Sequence, residues 1–321
     1  MKSMCWKKLG QIFNPLDHKL PNGCIEFAQS PQPLIFDDFV RIFFSTRTRD
    51  ATGQYLSHVA FVDFDKTFKK LLRVAEKPVI GLGGLGSFDE HGIFPMNVVR
   101  AGDHILAYTT GWNRKKSIPA DSAIGLAVSD DGGLTFQKHG TGPILSASLR
   151  EPFLIADGMV AKFCDIFHMW YIYGTKWIRH DPRSLPDRVY KIGHATSKDG
   201  ISWTREGRAI VPDVLDANEA QALPSVLRHE GSYHMVFCFR DAIGFRDLKN
   251  HGYRLGYANS TDLIHWQRDD KVLNFPLSER GWDSEMQCYP FIFKCDDHIY
   301  MLYNGNQFGR FGFGVAVLEG E

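Results

Sequence analysis

The sequence predicts an all-β fold, a five-bladed β-propeller, from three observations. A proline-led apolar segment recurs five times, at Pro33, Pro95, Pro152, Pro224 and Pro290, in steps of 62, 57, 72 and 66 residues. Most of these segments lead through a polar turn into a second apolar run, the pattern of an antiparallel hairpin. No helical period of useful length occurs. Repeats of this size made of short strands are typical of blades arranged around an axis.

Each repeat is predicted to hold two hairpins and therefore four antiparallel strands. Polar turns close the first hairpins at Asp37-Asp38, Ala101–Asp103, His229–Gly231 and Cys295–Asp297. Third strands at 124–129, 192–197 and 255–260 are each followed by an Asp-bearing turn and then by an aromatic residue, which are Phe136, Trp203 and Trp266. Asp and Gly favour such turns, and the aromatic residue packs between neighbouring sheets.

The two ends of the chain are predicted to complete the last blade. The fifth repeat ends after a third strand over Phe311–Leu318, and Leu9–Phe13 is the apolar segment available as its fourth strand. This pairing closes the ring, so residues 1–321 are expected to form a single domain.

Composition excludes several functional classes. Lys plus Arg equals Asp plus Glu, at 37 each, so bulk charge does not favour a nucleic-acid partner. The sequence has neither a signal peptide nor an apolar stretch of about 20 residues, which predicts a cytoplasmic protein with no membrane partner. The six cysteines are scattered and the histidines lack ligand spacing, so reduced thiols and no metal site are expected. Nothing indicates the oligomeric state.

Carboxylates precede the inner strand of four of the five repeats. These are Asp89 and Glu90 before Pro95, Glu151 before Pro152, Glu219 before Pro224, and Asp283 and Glu285 before Pro290. Inner strands converge on the axis of a propeller, so the acids are expected to form a ring there. Cleavage of a glycosidic bond uses one carboxylic acid as proton donor and a second carboxylate as base or nucleophile. Any one of these acids alone also fits a turn.

Basic and aromatic side chains are predicted to surround this acidic mouth. The loops between the second and third strands carry Arg47, Arg240 and other cations, and Arg150 directly precedes Glu151. Together they favour an anionic group on the substrate. The rim also carries Trp112, Trp177 and Trp282, which are suited to stacking on a sugar ring, with Asp283 as a further sugar ligand.

These segments resemble the five-bladed glycoside hydrolases of families 32, 43, 68 and 130. Arg150-Glu151-Pro152 is similar to the Arg-Asp-Pro element of families 32 and 68, and Glu219 stands where those enzymes have their acid/base glutamate. The segment Phe88–Pro95, followed by Tyr108–Trp112, resembles family 43- and 130-like proteins. The resemblance implies a glycosidase with Glu219 as general acid and Glu151 orienting the sugar or tuning that acid. Substitution of Glu219 by Gln is then expected to abolish activity and preserve the fold.

One departure from these families leaves the base open. Their catalytic aspartate at the first blade is missing, and only Glu26 occurs there. Asp89 or Glu90 is the candidate base, with Glu285 in reserve. In family 130-like phosphorylases phosphate replaces water, so no cofactor is required and phosphate is a possible co-substrate held by basic residues. The pattern also fits a transferase using an anionic activated sugar, or a non-catalytic glycan-binding propeller. Ser129–Phe136 matches the Asp-box of sialidase-like propellers as well, a minor interpretation.

Overall fold

The computed structural model describes residues 3–248 and 250–319, and strands dominate it. The strands are β1 (Trp6–Phe13), β2 (Glu26–Ile35), β3 (Val40–Arg49), β4 (Tyr55–Phe64), β5 (Leu71–Val74), β6 (Gly92–Ala101), β7 (His104–Arg114), β8 (Ala120–Ser129), β9 (Gln137–Lys138), β10 (Ile155–Phe163), β11 (Ile166–Ile178), β12 (Asp187–Ser197), β13 (Thr204–Arg205), β14 (Ala220–His229), β15 (Ser232–Arg240), β16 (Arg254–Ser260), β17 (Gln267–Arg268), β18 (Cys288–Cys295), β19 (His298–Asn304) and β20 (Phe313–Leu318). Two short helices, α1 (Asp270–Leu273) and α2 (Asn306–Gly309), and 3-10 turns at Pro15–Asp17 and Pro21–Gly23 accompany them. No helix among the described residues is long and apolar enough to cross a membrane.

The strands pair into five antiparallel units of four. These are unit 1 (β2–β5), unit 2 (β6–β9), unit 3 (β10–β13), unit 4 (β14–β17) and unit 5 (β18–β20 with β1). Units 1 and 2 are joined by a single parallel pair, Ser57 with Gly92. Strand β1 pairs with β20 as predicted, so the N-terminal segment supplies the fourth strand of the last unit.

The first strands of successive units pack against one another. Strand β2 contacts β6, β6 contacts β10, β10 contacts β14, β14 contacts β18, and β18 contacts β2. All five begin at the same end of their units, which we call the mouth end. The connectors between units and the loops between second and third strands lie at this end. The predicted Ser–Asp turns after the third strands lie at the opposite end, where the hydroxyl groups of Ser129, Ser197 and Ser260 donate to Asp131, Asp199 and Asp262.

Each first strand contains a two-residue bulge, and the position of this bulge is the feature that repeats along the sequence. The bulges lie at Ser30-Pro31, Phe94-Pro95, Asp157-Gly158, Leu223-Pro224 and Tyr289-Pro290. The second positions, 31, 95, 158, 224 and 290, follow in steps of 64, 63, 66 and 66 residues. Proline is tolerated here because a bulged residue has no ladder hydrogen bond to donate.

The sequence-based repeat was therefore wrong at two of its five prolines. Pro33 lies beyond the bulge of unit 1 and pairs regularly with Ile42. Pro152 precedes strand β10, which begins at Ile155. The registers of units 1 and 3 shift accordingly, and with them the residues that face the neighbouring units.

Buried hydrogen bonds join every unit to the next at or near these bulges. The donor–acceptor pairs are Asn97 Nδ2–Gln32 Oε1 (2.9 Å), Val160 N–Asn97 Oδ1 (2.9 Å), Leu223 N–Asp157 Oδ2 (3.2 Å), Ile292 N–Ser225 Oγ (2.9 Å) and Ser30 N–Asn304 Oδ1 (2.8 Å). They link units 2 and 1, 3 and 2, 4 and 3, 5 and 4, and 1 and 5. A bulged strand thus redirects polar groups from its own sheet to the neighbouring one.

Substitution of Asn97 by Ala is expected to lower the free energy of unfolding by about 2–5 kcal/mol. The change leaves two buried groups, Gln32 Oε1 and the Val160 N–H, without their partner, and each costs about 1–3 kcal/mol. Urea unfolding measures the effect. Gln137→Ala, at an exposed position on the outermost strand of the same unit, is the control. Equal midpoints for the two variants would contradict the role of Asn97.

Candidate active site

The four acids predicted to form a catalytic ring occupy equivalent places, but they point outward. Each lies in the connector before its first strand and reaches a cation on the outermost strand of the same unit. The pairs are Asp89–Lys138 (2.5 Å), Glu151–Arg205 (2.7 Å), Glu219–Arg268 (2.5 Å) and Asp283–Lys8 (2.7 Å). None of the four acidic residues is more than 2% exposed. The expected convergence of these carboxylates on the axis was wrong.

Hydrogen bonds occupy further lone pairs of Glu219, Glu151 and Asp283. Glu219 accepts the backbone N–H groups of Val214 and Leu215, both at 3.0 Å, and the side-chain amide of Gln221. Glu151 accepts the hydroxyl group of Tyr171 at 2.5 Å. A carboxylate enclosed by a cation and by N–H or O–H donors holds a connector in place, which favours a structural role. The catalytic assignments of Glu219, Glu151 and Asp89, and Asp283 as a sugar ligand, stay predictions.

An aromatic residue directly before two of these acids packs against glycines. A Cβ atom at Gly111 or Gly125 would meet the ring of Phe88 within 2.6 Å, and one at Gly314 would meet the Trp282 ring at 2.4 Å. Trp282 also packs against Tyr303, with ring centroids 5.0 Å apart and the ring planes tilted by 33°. These contacts place Trp282 over the middle strands of its own unit, whereas stacking on a sugar was expected.

The other predicted residues are scattered over the mouth end. Trp112 lies over Gly92 and stacks on His91, and Trp177 is half-buried against the core. Glu90 accepts the N–H of Gly86 at 2.9 Å. Two others, Glu285 and Arg150, are exposed. The structure does not bring these side chains together.

Two of the predicted cations, Arg47 from unit 1 and Arg240 from unit 4, belong to an electrostatic cluster at the mouth end. Arg188 from unit 3 and Arg246 from unit 4 complete it, and the phenol of Tyr289 acts on Arg47 and Arg246. Burial lowers the pKa of Arg47, and the charge of Arg246 lowers it further. Desolvation by its neighbours lowers the pKa of Arg246 although the side chain is 57% exposed, and the charges of Arg188 and Arg240 lower it further. The cluster is therefore a concentration of positive charge.

Few acids balance this cluster of four arginines. Arg47 stacks on Phe27 with its guanidinium 4.6 Å from the ring centroid, and its buried Nε has no hydrogen-bond partner among residues 3–248 and 250–319. Arg240 lies 3.5 Å over the ring of Phe245 and donates to the hydroxyl group of Tyr190 at 3.0 Å. Unused guanidinium donors on rigid strands suit a phosphate or carboxylate ligand.

Asp157 is a buried carboxylate within electrostatic range of Arg188 in this cluster. It is the bulged residue of unit 3, with φ at +56°, and its Oδ2 accepts the N–H of Leu223 from unit 4. Burial raises its pKa to about 7, although the Leu223 hydrogen bond and the charge of Arg188 oppose the shift. A carboxyl group with such a pKa can hold a proton near neutral pH and release it, as a general acid must.

Sequence reasoning missed Asp157 because the repeat was placed at Pro152. The bulge spacing of 63 residues after Pro95 and 66 before Pro224 would have located it. Three tyrosines of the cluster, Tyr190, Tyr253 and Tyr289, carried no comparable signal. No group of three or more His, Cys, Asp or Glu residues is placed to hold a metal ion in the described part of the chain.

Comparison of sequences identifies relatives that match different fractions of the chain. The chain is 33% identical over 322 residues to the uncharacterized proteins Rv1502 and MT1551 of Mycobacterium tuberculosis, covering 98% of this chain and 100% of each relative. A 1,2-beta-oligomannan phosphorylase of Thermoanaerobacter sp. (strain X514) is 31% identical over 90 residues, 27% of this chain and 28% of that enzyme. No family model matches the chain.

Solved structures share the fold. The protein BT0996, solved as a complex with RGII, is 16% identical with a TM-score of 0.74, covering 99% of this chain and 93% of that protein. A β-1,2-mannobiose phosphorylase from Listeria innocua is 13% identical with a TM-score of 0.67, covering 98% and 97%. Similar structures include family 43, 32 and 130 enzymes, so the all-β propeller fold and the predicted resemblance are confirmed.

Substitution of Glu219 by Gln is expected to lower the free energy of unfolding by about 1–3 kcal/mol, the usual cost of leaving buried donors without their acceptor. Arg268, whose side chain is 1% exposed, loses Glu219 in this variant and keeps Asp270 at 2.9 Å. Glu285→Gln, at an exposed carboxylate, is the matched control and should change stability by less than about 0.5 kcal/mol. Chemical denaturation of both variants measures the difference; an unchanged Glu219→Gln protein would show that the pair is dispensable.

The stability difference between Asp157→Asn and the parent protein is expected to depend on pH. The folded-state pKa of about 7 exceeds the unfolded value, so the contribution of Asp157 is complete below about pH 4 and is lost as pH rises to about 7. Across this range, the free energy of unfolding of the variant should therefore rise relative to that of the parent by up to about 1.4 kcal/mol per pH unit.

Urea unfolding of both proteins between pH 4 and pH 8 measures this difference. Four histidines with lowered pKa values, the buried His194 and the half-buried His58, His168 and His234, titrate in both proteins and cancel in the comparison. A difference that stays constant with pH would contradict the raised pKa of Asp157.

Proposed function

The chain belongs to the family of the mycobacterial proteins Rv1502 and MT1551, and we propose that it is a glycan-acting enzyme that exchanges a glycosidic bond for a glycosyl phosphate bond. The proposed site is the mouth end, with Asp157 as general acid and Arg47, Arg188 and Arg246 as the phosphate ligands. The observation that carries the proposal is one protonatable carboxyl group, Asp157, within electrostatic range of Arg188, which belongs to an arginine cluster with few acidic partners.

The architecture of the site rests on a further proposal about the ring. We propose that the five units close into one five-bladed propeller domain over residues 1–321. The contacts between successive first strands, including β18 with β2, support closure, as does the hydrogen bond from Ser30 to Asn304 between units 1 and 5. In a closed ring, Arg47 of unit 1 comes to lie opposite the arginines of units 3 and 4.

The proposed reaction needs only one carboxyl group from the protein. The protonated Asp157 transfers its proton to the glycosidic oxygen while a phosphate oxygen attacks the anomeric carbon. The bond between that carbon and the leaving oxygen breaks, and the products are a glycosyl phosphate and a shortened glycan. The arginines bind the phosphate and hold it near the anomeric carbon, which lowers the entropic cost of the attack.

Hydrolysis is the less favoured alternative because it needs a second carboxylate. Inverting and retaining glycosidases place two carboxyl groups about 5–9.5 Å apart around the scissile bond. The predicted partners Glu219 and Glu151 are enclosed by cations and donors. Glu26, the acid of unit 1, is also engaged, by Arg310 at 2.8 Å and by the hydroxyl group of Tyr55.

The relatives suggest which substrates to examine first. One relative is named as a 1,2-beta-oligomannan phosphorylase, and one structure of the same fold as a β-1,2-mannobiose phosphorylase. We therefore propose β-linked manno-oligosaccharides as the first substrates to test, alongside other disaccharides. The predicted anionic partner is then the phosphate itself.

Turnover of these glycans is expected to require inorganic phosphate and to release a sugar 1-phosphate. Asp157→Asn should lower the rate by about 10²–10⁴-fold, the usual contribution of a general acid. Product analysis by chromatography, with and without phosphate, measures both effects, and Gln137→Ala, at an exposed position on an outermost strand, serves as the active control. Release of free sugar only, independent of phosphate, would indicate a hydrolase. Full activity of Asp157→Asn would exclude Asp157 as the acid, and no turnover of any glycan would favour a binding protein.

A further inference from the structure

One acid, Asp187, lies beside the arginine cluster. Asp187 is the first residue of β12, and its Oδ1 lies 3.7 Å from Nη1 of Arg246. In the described part of the chain it is the only carboxylate within 4 Å of that guanidinium. Its other oxygen lies 3.8 Å from Nδ1 of His180.

The contact between Asp187 and Arg246 is loose. A distance of 3.7 Å exceeds the 2.7–2.9 Å of a charge-assisted hydrogen bond. The Arg246 side chain is 57% exposed, so water screens the pair, and the Asp187 side chain is 17% exposed. Ion pairs of this kind contribute about 0.2–1 kcal/mol and exchange easily for another anion.

The two partners differ in how they are held. Asp187 is fixed by the β11–β12 ladder, where it pairs with Ile178. Arg246 lies in the irregular segment between β15 and β16, with its guanidinium 4.1 Å over the Phe245 ring. An anion that binds here therefore competes with Asp187 for Arg246. The Asp187 carboxylate, held by the strand ladder, does not move with Arg246 when that side chain turns to the anion.

We propose that Asp187 is an internal competitor that makes the arginine cluster selective for multiply charged phosphoryl groups. The inference rests on the proposed phosphate site and deepens it. A singly charged ligand gains little by replacing one carboxylate at Arg246, whereas a phosphate dianion gains an additional charge interaction with Arg47 and Arg188. Asp187 thus excludes small carboxylates from the site and keeps phosphate binding reversible.

Removal of the competing charge tests this role. Asp187→Asn is expected to bind inorganic phosphate about two- to fivefold more tightly than the parent protein, the factor that corresponds to a weak ion pair. Acetate, which should not bind the parent measurably, should become a detectable ligand of the variant. Calorimetric titration of the full chain with phosphate, a hexose 1-phosphate and acetate at pH 7 measures these affinities and separates free from sugar-borne phosphate.

Matched variants keep the result interpretable. Asp181→Asn, in the same loop, removes an acid that lies beside Arg183 at 3.6 Å, and it should bind phosphate like the parent. Arg246→Ala changes a largely exposed side chain and should weaken phosphate binding; adding Asp187→Asn to it should then have no effect.

Three results would overturn the inference. Weaker phosphate binding by Asp187→Asn would mean that Asp187 positions Arg246 for the anion. An equal gain in phosphate affinity in Asp181→Asn would show that the effect comes from the net charge of the protein and not from the contact between Asp187 and Arg246. In both cases the proposed function would stand. Absence of phosphate and hexose phosphate binding by the parent and by Asp187→Asn would overturn this inference and the proposed phosphate site together.

Discussion

The two-residue bulge in each first strand is the constraint on which the other features depend, because it turns polar groups from one sheet toward the next. The Leu223 and Ser30 N–H groups lie within bulges and donate to neighbouring units. Apolar contacts between the units do not by themselves define a register, so these directional bonds fix it together with other polar contacts, such as that from Ser45 Oγ to the Ile93 carbonyl. The bulge also sets Asp157 in a left-handed conformation with its carboxyl group between units 3 and 4.

Two kinds of buried carboxylate follow from this geometry, and their electrostatics differ. The connector acids, such as Glu219, reach outward and form an ion pair with a cation of the outermost strand. Asp157 has no cation at hydrogen-bond distance in the described residues, and burial stabilises its neutral form. A carboxyl group that stays protonated near neutral pH can donate a proton. This difference separates the acids that hold connectors from the acid that we place at the reacting centre.

The arginine cluster at the mouth end and Asp157 have complementary roles in the proposed site, since the arginines bind the phosphate and Asp157 donates the proton. Neutral Asp157 adds no negative charge, so the carboxylates that act on the cluster are Asp187, at 3.7 Å from Arg246, and Glu26, beside Arg47. Like charges held together cost free energy, which an anionic ligand relieves on binding. The ring of Phe245 holds two of these guanidinium groups in place, because Arg240 and Arg246 both stack on it.

Local pattern in the sequence determined the strands, the hairpins, the Ser–Asp turns and the use of the N-terminal segment as a fourth strand, because these depend on alternation and on turn residues close in the chain. It also located the connector acids, but their direction depends on cations such as Lys138 and Arg268, which lie 49 residues along the chain from Asp89 and Glu219. Proline alone marked the repeat in units 2, 4 and 5 and misplaced it in units 1 and 3, since a bulge can be formed by Asp157-Gly158 as well. Only the tertiary structure decided which acid is desolvated and which is paired, because both outcomes are set by residues of other strands and units.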